Sequence, residues 1–252
     1  MIARRPMLIA ALAGALSLAL GGAASAGETK VAVAANFTEA AKDIAARFKA
    51  KTGHEATLSF GASGQFYAQI ANGAPYEVFL SADVERPRKA EAEGLAVPGS
   101  RFTYATGRLV LFSKTPGLVD GRGAVLRSGR FEKLAIADPK AAPYGQAALE
   151  TLTKLKLYDA LKPKIVQGGS ITQAYQYVQT GAAELGFVAL SQVAGEKGGS
   201  RWLVPAADHA PIEQQAVLLK TGQDSAAAKA FMAFLRSGEA KAIIRRYGYE
   251  VR

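Results

Sequence analysis

Past its first two dozen residues, the chain repeats one pattern of hydrophobic and polar positions. A short apolar run is followed by a turn of small residues and then by apolar residues at helical spacing. Residues 29–34 form the first run. Phe37, Ala41, Ile44, Ala45 and Phe48 then mark one face of a helix, which Lys51 and Gly53 bring to a stop. Residues 56–60 predict a second strand, Gly61-Ala62-Ser63-Gly64 its turn, and 65–71 a helix. A third strand at 78–80 precedes a charged helix that runs to Glu93.

The pattern then starts again. Strands are predicted at 108–112 and 134–137, a helix at 144–155, and a strand at 164–167 that leads through Gly168-Gly169-Ser170 into a helix at 171–179. A strand at 185–189 runs into a short helix at 191–194. The tail adds a strand at 214–220 and helices at 225–235 and 239–246. Such alternation predicts βαβ units, mostly parallel sheets and an α/β fold in two groups, 29–105 and 107–208. The tail either extends the second group or crosses back to the first. The second option places linkers near 104–107 and 209–211.

The opening segment reads differently. Arg4 and Arg5 precede an apolar stretch at 7–20, and Ala24-Ser25-Ala26 fits a small-residue cleavage site. This predicts a secretory signal peptide over 1–26, cleaved near Ala26. The stretch is short for a span across about 30 Å of hydrocarbon. An exported, soluble mature protein is expected.

Composition narrows the chemistry. The 252 residues are 49% hydrophobic, enough for a packed core, and contain no cysteine and only two histidines, His54 and His209. Disulfide frameworks, thiolate metal sites, cysteine nucleophiles and histidine clusters are thereby excluded. His54 is expected at the surface and His209 in a linker. The net charge of +10 is dispersed: Lys42, Arg47, Lys49 and Lys51 alternate with Glu39, Asp43 and Glu55, as on a solvated helix face. Nucleic acid is not indicated.

In parallel sheets, ligands collect beyond the carboxyl ends of strands. Here those loops carry Ala34-Ala35-Asn36, Gly61-Ala62-Ser63-Gly64, Pro143-Tyr144-Gly145 and Gly168-Gly169-Ser170-Ile171, all small or neutral. Helix starts present unpaired N–H groups and a positive dipole end, so several facing one cleft would hold an oxyanion. Each residue has a plainer role open to it. Asn36 and Ser63 are ordinary N-cap types, Gly168-Gly169 a tight turn, and Asp83 and Asp138 turn or cap formers. Catalysis has little support. The run Gly61 to Gln65 resembles a nucleophile elbow but places Gln65 where glycine is needed. A secreted serine hydrolase using Ser63 stands as the reading from a different class, and another tetrahedral oxyanion such as sulfate as the rival ligand.

The runs KVAVAANFTEAA at 30–41, SFGASG from Ser59, NGAPYEVFLSAD at 72–83, ADPKAAPYGQAALE at 137–150, GGSITQAYQYVQTGAAELGFVAL at 168–190 and the final RRYGYEVR resemble the periplasmic molybdate-binding proteins of ABC transporters. The resemblance implies a two-domain class II periplasmic binding fold with mixed, mostly parallel sheets and the ligand in the interdomain cleft. It implies a discontinuous domain I over 27–105 and 212–252, crossover strands, and domain II over 106–211. It further implies a monomer that carries molybdate, and tungstate with it, to a permease with an ATPase subunit. No enzyme activity and no cofactor are implied. By the same resemblance the ligand positions fall on Asn36, Ser63, Tyr144 and Ile171, with a backbone N–H from Ala35. All would act on the oxyanion oxygens and none on the metal directly. Many family members carry a ligating tyrosine where this chain has Ala189, and Tyr144 resembles its substitute from another loop.

Overall fold

The computed structural model describes residues 26–251; the signal peptide expected over 1–26 lies outside them apart from Ala26. Two five-stranded sheets share one plan. In the first, β1 (Glu28–Ala34) is flanked by β2 (Glu55–Gly61) and β3 (Val78–Leu80), both parallel to it. The second sets β6 (Leu134–Ala137) between parallel β7 (Ile165–Gly168) and β8 (Leu185–Ala189). An antiparallel strand completes each trio. In the second sheet this is β5 (Leu109–Ser113), which also pairs with β9 (Ser200–Leu203). In the first sheet it is β10 (Ile212–Leu218), inserted between β3 and β4 (Phe102–Gly107), so the tail crosses back.

Helices α1 (Thr38–Thr52), α2 (Ser63–Ala71) and α3 (Glu85–Ala92) follow the parallel strands of the first sheet. The second carries α4 (Val125–Ser128), α5 (Pro143–Lys154), α6 (Tyr158–Leu161), α7 (Ile171–Gln179) and α8 (Leu190–Val193), and the tail ends in α9 (Ala226–Leu235) and α10 (Gly238–Arg246). The expected class, α/β with mixed sheets, is what forms. Strand β1 is central, and Val31, Ala32 and Val33 are fully buried, which explains why its sequence is apolar on both faces. Val31, Val33, Ile44, Phe48 and Phe231 fill one side of this sheet, and Ala32, Phe66, Ile70 and Phe79 the other.

Two sequence expectations require correction. The stretch 104–107 is no loose linker but part of β4, paired to β10 through Ala105 with Gln214 and Gly107 with Ile212. Burying Phe48 requires a cover, and His54 supplies it: the imidazole stacks on that ring, accepts the Gly27 N–H at 2.9 Å through Nδ1, and is buried rather than superficial. His209 stands in the connection that leads into β10, its ring buried and its Nδ1 2.7 Å from the Ala210 carbonyl. Among the described residues no helix is long and apolar enough to cross a membrane.

Candidate functional site

Register places the four ligand loops. The parallel ladder of β1 with β2 ends at Ala34 opposite Gly61, and that of β6 with β7 at Ala137 opposite Gly168. Each pair of turns therefore leaves its sheet at one level. A short 3₁₀ turn over Ala35–Phe37 follows β1, and α2, α5 and α7 begin at Ser63, Pro143 and Ile171. The first N–H groups of such turns have no partner inside them.

The ends of the two sheets meet. The Gly64 N–H donates to the Ala141 carbonyl at 2.9 Å, Arg86 Nη2 to the Lys140 carbonyl at 2.9 Å, and Ser191 Oγ to the Asn36 carbonyl at 2.8 Å. Between them lies a small, tight cavity. It is lined by Ala35, Asn36, Ser63, Tyr144 and Ile171 together with Ala34, Gly61, Ala62, Ala82, Ala142 and Pro143. All five positions expected from the sequence are brought to one place. Tyr144 is the single ionisable residue of the lining, and no carboxylate reaches it. The wider cavity alongside, about 580 Å³, is lined by Asp83, Glu85, Glu150 and Glu213 as well as Arg86 and Lys140, an environment that would repel a dianion.

Hydrogen-bond polarity defines what this cavity can hold. Ser63 does not cap its own helix; its Oγ accepts the Ala82 N–H at 2.9 Å, which leaves the hydroxyl proton free to point into the cavity. The oxygen of Tyr144 likewise accepts from Gln214 Nε2 at 3.3 Å, so its proton too is free. Burial raises the Tyr144 pKa well above the usual phenol range. Neighbouring Tyr249 and Tyr104 push it further, and the Gln214 and Asn36 amides oppose. The phenol thus stays a donor at neutral pH. Ser170, in contrast, spends its Oγ on the Gln173 N–H as the cap of α7.

Asn36 is placed less simply than expected. Its side chain lines the cavity, yet Nδ2 donates to Gln214 Oε1 at 2.9 Å and to the Tyr249 hydroxyl at 3.0 Å. Both amide protons are therefore engaged, and the group it can offer a ligand is its main-chain N–H beside that of Ala35. Asp83 and Asp138 take the plain roles open to them, accepting the Arg86 and Lys140 N–H groups at 2.9 Å.

Sequence reasoning missed the layer behind the cavity. Gln214, Tyr104 and Tyr249 are buried there, and the Tyr249 hydroxyl lies 2.7 Å from the Asn36 carbonyl and 3.0 Å from Ser191 Oγ. The available signal was Gln214-Gln215 leading directly into the apolar run 216–219, since paired amides inside a buried strand need partners.

Two βαβ-type halves that meet at a small cavity of neutral donors have the architecture of a solute-binding protein. Comparison with known proteins agrees. The family described as bacterial extracellular solute-binding protein matches residues 29–250. The molybdate-binding protein ModA of Rhodobacter capsulatus is 59% identical over 246 residues, 97% of each chain. That of Azotobacter vinelandii is 55% identical over 230 residues, 90% of this chain and 91% of the relative. A solved structure described as the Azotobacter vinelandii periplasmic molybdate-binding protein superposes with a TM-score of 0.86 at 46% identity, covering 89% of this chain and 99% of that one. The chain belongs to the bacterial extracellular solute-binding proteins, and within them to the ModA family.

Proposed function

We propose that the protein captures molybdate, and tungstate with it, in the cavity between its two sheets and delivers it to an ABC importer. The single observation that carries this reading is the polarity of the cavity. Ser63 and Tyr144 each have their oxygen occupied by an N–H group from behind, so both hydroxyls face the ligand as donors. With the N–H groups that begin the turns at Ala35, Asn36 and Ile171, they form a cage dominated by donors. Molybdate and tungstate carry no proton near neutral pH and match such a cage, whereas phosphate retains a proton that needs an acceptor. Sulfate has the same charge but is smaller, so donors spaced for a larger anion leave it underbonded.

In this reading residues 27–105 and 212–252 form one domain and 106–211 the other. Closure of the two around the anion excludes water and creates the surface that the permease and its ATPase partner recognise. The protein acts as a periplasmic monomer after loss of its signal peptide. No catalysis is assigned to Ser63, because its hydrogen-bond partner is a backbone N–H and not a general base. The test is calorimetric titration of the purified mature protein with molybdate, tungstate, sulfate and phosphate. Tight binding of the first two, with sulfate and phosphate far weaker, is expected. Preference for sulfate would overturn the ligand assignment.

A further inference from the structure

The hydrogen-bond chain behind the cavity has a direction, and one residue sets it. Gln214 Oε1 receives Asn36 Nδ2 at 2.9 Å and shares the Tyr104 hydroxyl proton, at 3.1 Å, with the Ser81 carbonyl at 3.2 Å. An amide oxygen so engaged turns the NH₂ group the other way, toward Tyr144. The Gln214 N–H then occupies a lone pair of the Tyr144 oxygen at 3.3 Å, which leaves the phenolic proton to point into the cavity that Tyr144 lines. The backbone supports this arrangement. Gln214 pairs with Ala105 and Gln215 with Thr103, which makes Tyr104 the extra residue of a β-bulge and turns its ring onto Gln214.

We propose that Gln214, on the strand that crosses between the sheets, is a positioning residue that fixes Tyr144 as a donor and thereby excludes anions that carry a proton. This inference rests on the oxyanion reading above. Gln214 touches no ligand itself. It acts through the orientation of one O–H bond, and the consequence is selectivity rather than mere tightness. A protonated oxyanion offers an O–H that must meet an acceptor; with its lone pair taken by Gln214, the Tyr144 oxygen is no longer one. Because Gln214 Oε1 is held from the first sheet while Tyr144 belongs to the second, the donor is fixed only when the two sheets have come together.

The experiment compares wild type, Gln214→Met, Gln214→Glu, Tyr144→Phe and the double variant Tyr144→Phe/Gln214→Met by calorimetry. The titrants are sodium molybdate and inorganic phosphate, and each variant is first checked for an intact thermal transition without ligand. Gln214→Met is expected to weaken molybdate binding about tenfold while raising the ratio of phosphate to molybdate affinity. In the Tyr144→Phe background the same substitution should change neither. A Gln214→Glu carboxylate would draw the Tyr144 proton back toward itself, so its molybdate affinity should recover as the pH is lowered and the carboxyl protonates, while wild type stays flat between about pH 6 and about pH 9. Should Gln214→Met lower affinity equally with and without the Tyr144 hydroxyl, or leave the phosphate-to-molybdate ratio where it was, Gln214 would be structural only and the proposal overturned. Wild-type protein that takes sulfate but not molybdate overturns the ligand assignment alone; the same cycle read with sulfate against phosphate then decides Gln214.

Discussion

The Tyr144 hydroxyl lies directly over Gly107: a Cβ at that position would overlap the phenolic oxygen and come within 2.7 Å of Gln214 Nε2. Glycine is required there by space, since the ring and the amide together fill the volume a methyl would take. Gly107→Ala is expected to push the phenol out of the cavity. Both consequences follow, a stability loss of about 1–3 kcal/mol from overpacking and a marked loss of molybdate affinity. Thermal unfolding without ligand and calorimetry with molybdate measure the two separately.

Ser63→Ala removes a donor from the cavity and strands the Ala82 N–H that the oxygen had satisfied. A weakening of binding by about 1–3 kcal/mol is expected, the range for a buried anion left one donor short. Retention of wild-type affinity in a titration would remove Ser63 from the cage.

The expectation for Asn36→Ala has a different origin. Its amide holds Gln214 Oε1 and the Tyr249 hydroxyl in place, so the loss should show first in the unliganded protein, by about 1–3 kcal/mol of unfolding free energy. Any effect on affinity follows from the displaced neighbours, because the main-chain N–H survives the substitution. Denaturant melts of the two alanine variants side by side would reveal the contrast.

Closure should be sensitive to bulk at Gly64. A Cβ there would sit 3.0 Å from both the Ala141 carbonyl and Arg86 Nη2, across the seam where the sheets meet. Gly64→Val is expected to hold the halves apart. Stopped-flow measurement should show faster ligand release with little change in the association rate.

Three buried phenols, Tyr104, Tyr144 and Tyr249, are all held above the ordinary tyrosine range, burial being the first cause in each. A raised pKa in the folded state contributes stability that is fully present below the unfolded value of about 10 and is lost as the pH climbs through the folded values. The melting temperature should therefore fall more steeply above about pH 10 in wild type than in a Tyr144→Phe variant, which has one such group fewer. Equal slopes would mean that Tyr144 ionises in the folded protein as it does in the unfolded chain.

How much of this was legible beforehand depends on the range of the interactions. The strands at 78–80, 134–137 and 185–189 and the helix at 171–179 form at the residues expected, because each is a strongly patterned apolar run closed by local turn signals. The strand Phe102–Gly107 was not seen: Thr103, Thr106 and Gly107 dilute its apolar character, and its stability comes from β10, more than a hundred residues away in sequence. The site divides the same way. Ser63, Tyr144 and Ile171 stand at helix starts that local signals mark. Gln214, Tyr104 and Tyr249 act only through partners brought together by the crossover, which neither periodicity nor spacing encodes.

The insertion of β10 between β3 and β4 also sets an order of assembly. The sheet built from 109–203 draws all its strands from one continuous stretch and can complete itself as that stretch becomes available. The other sheet must wait with a gap between β3 and β4, its β4 without a neighbour, until the returning strand is threaded in. The half that is made first is finished last, and the pocket exists only once it is.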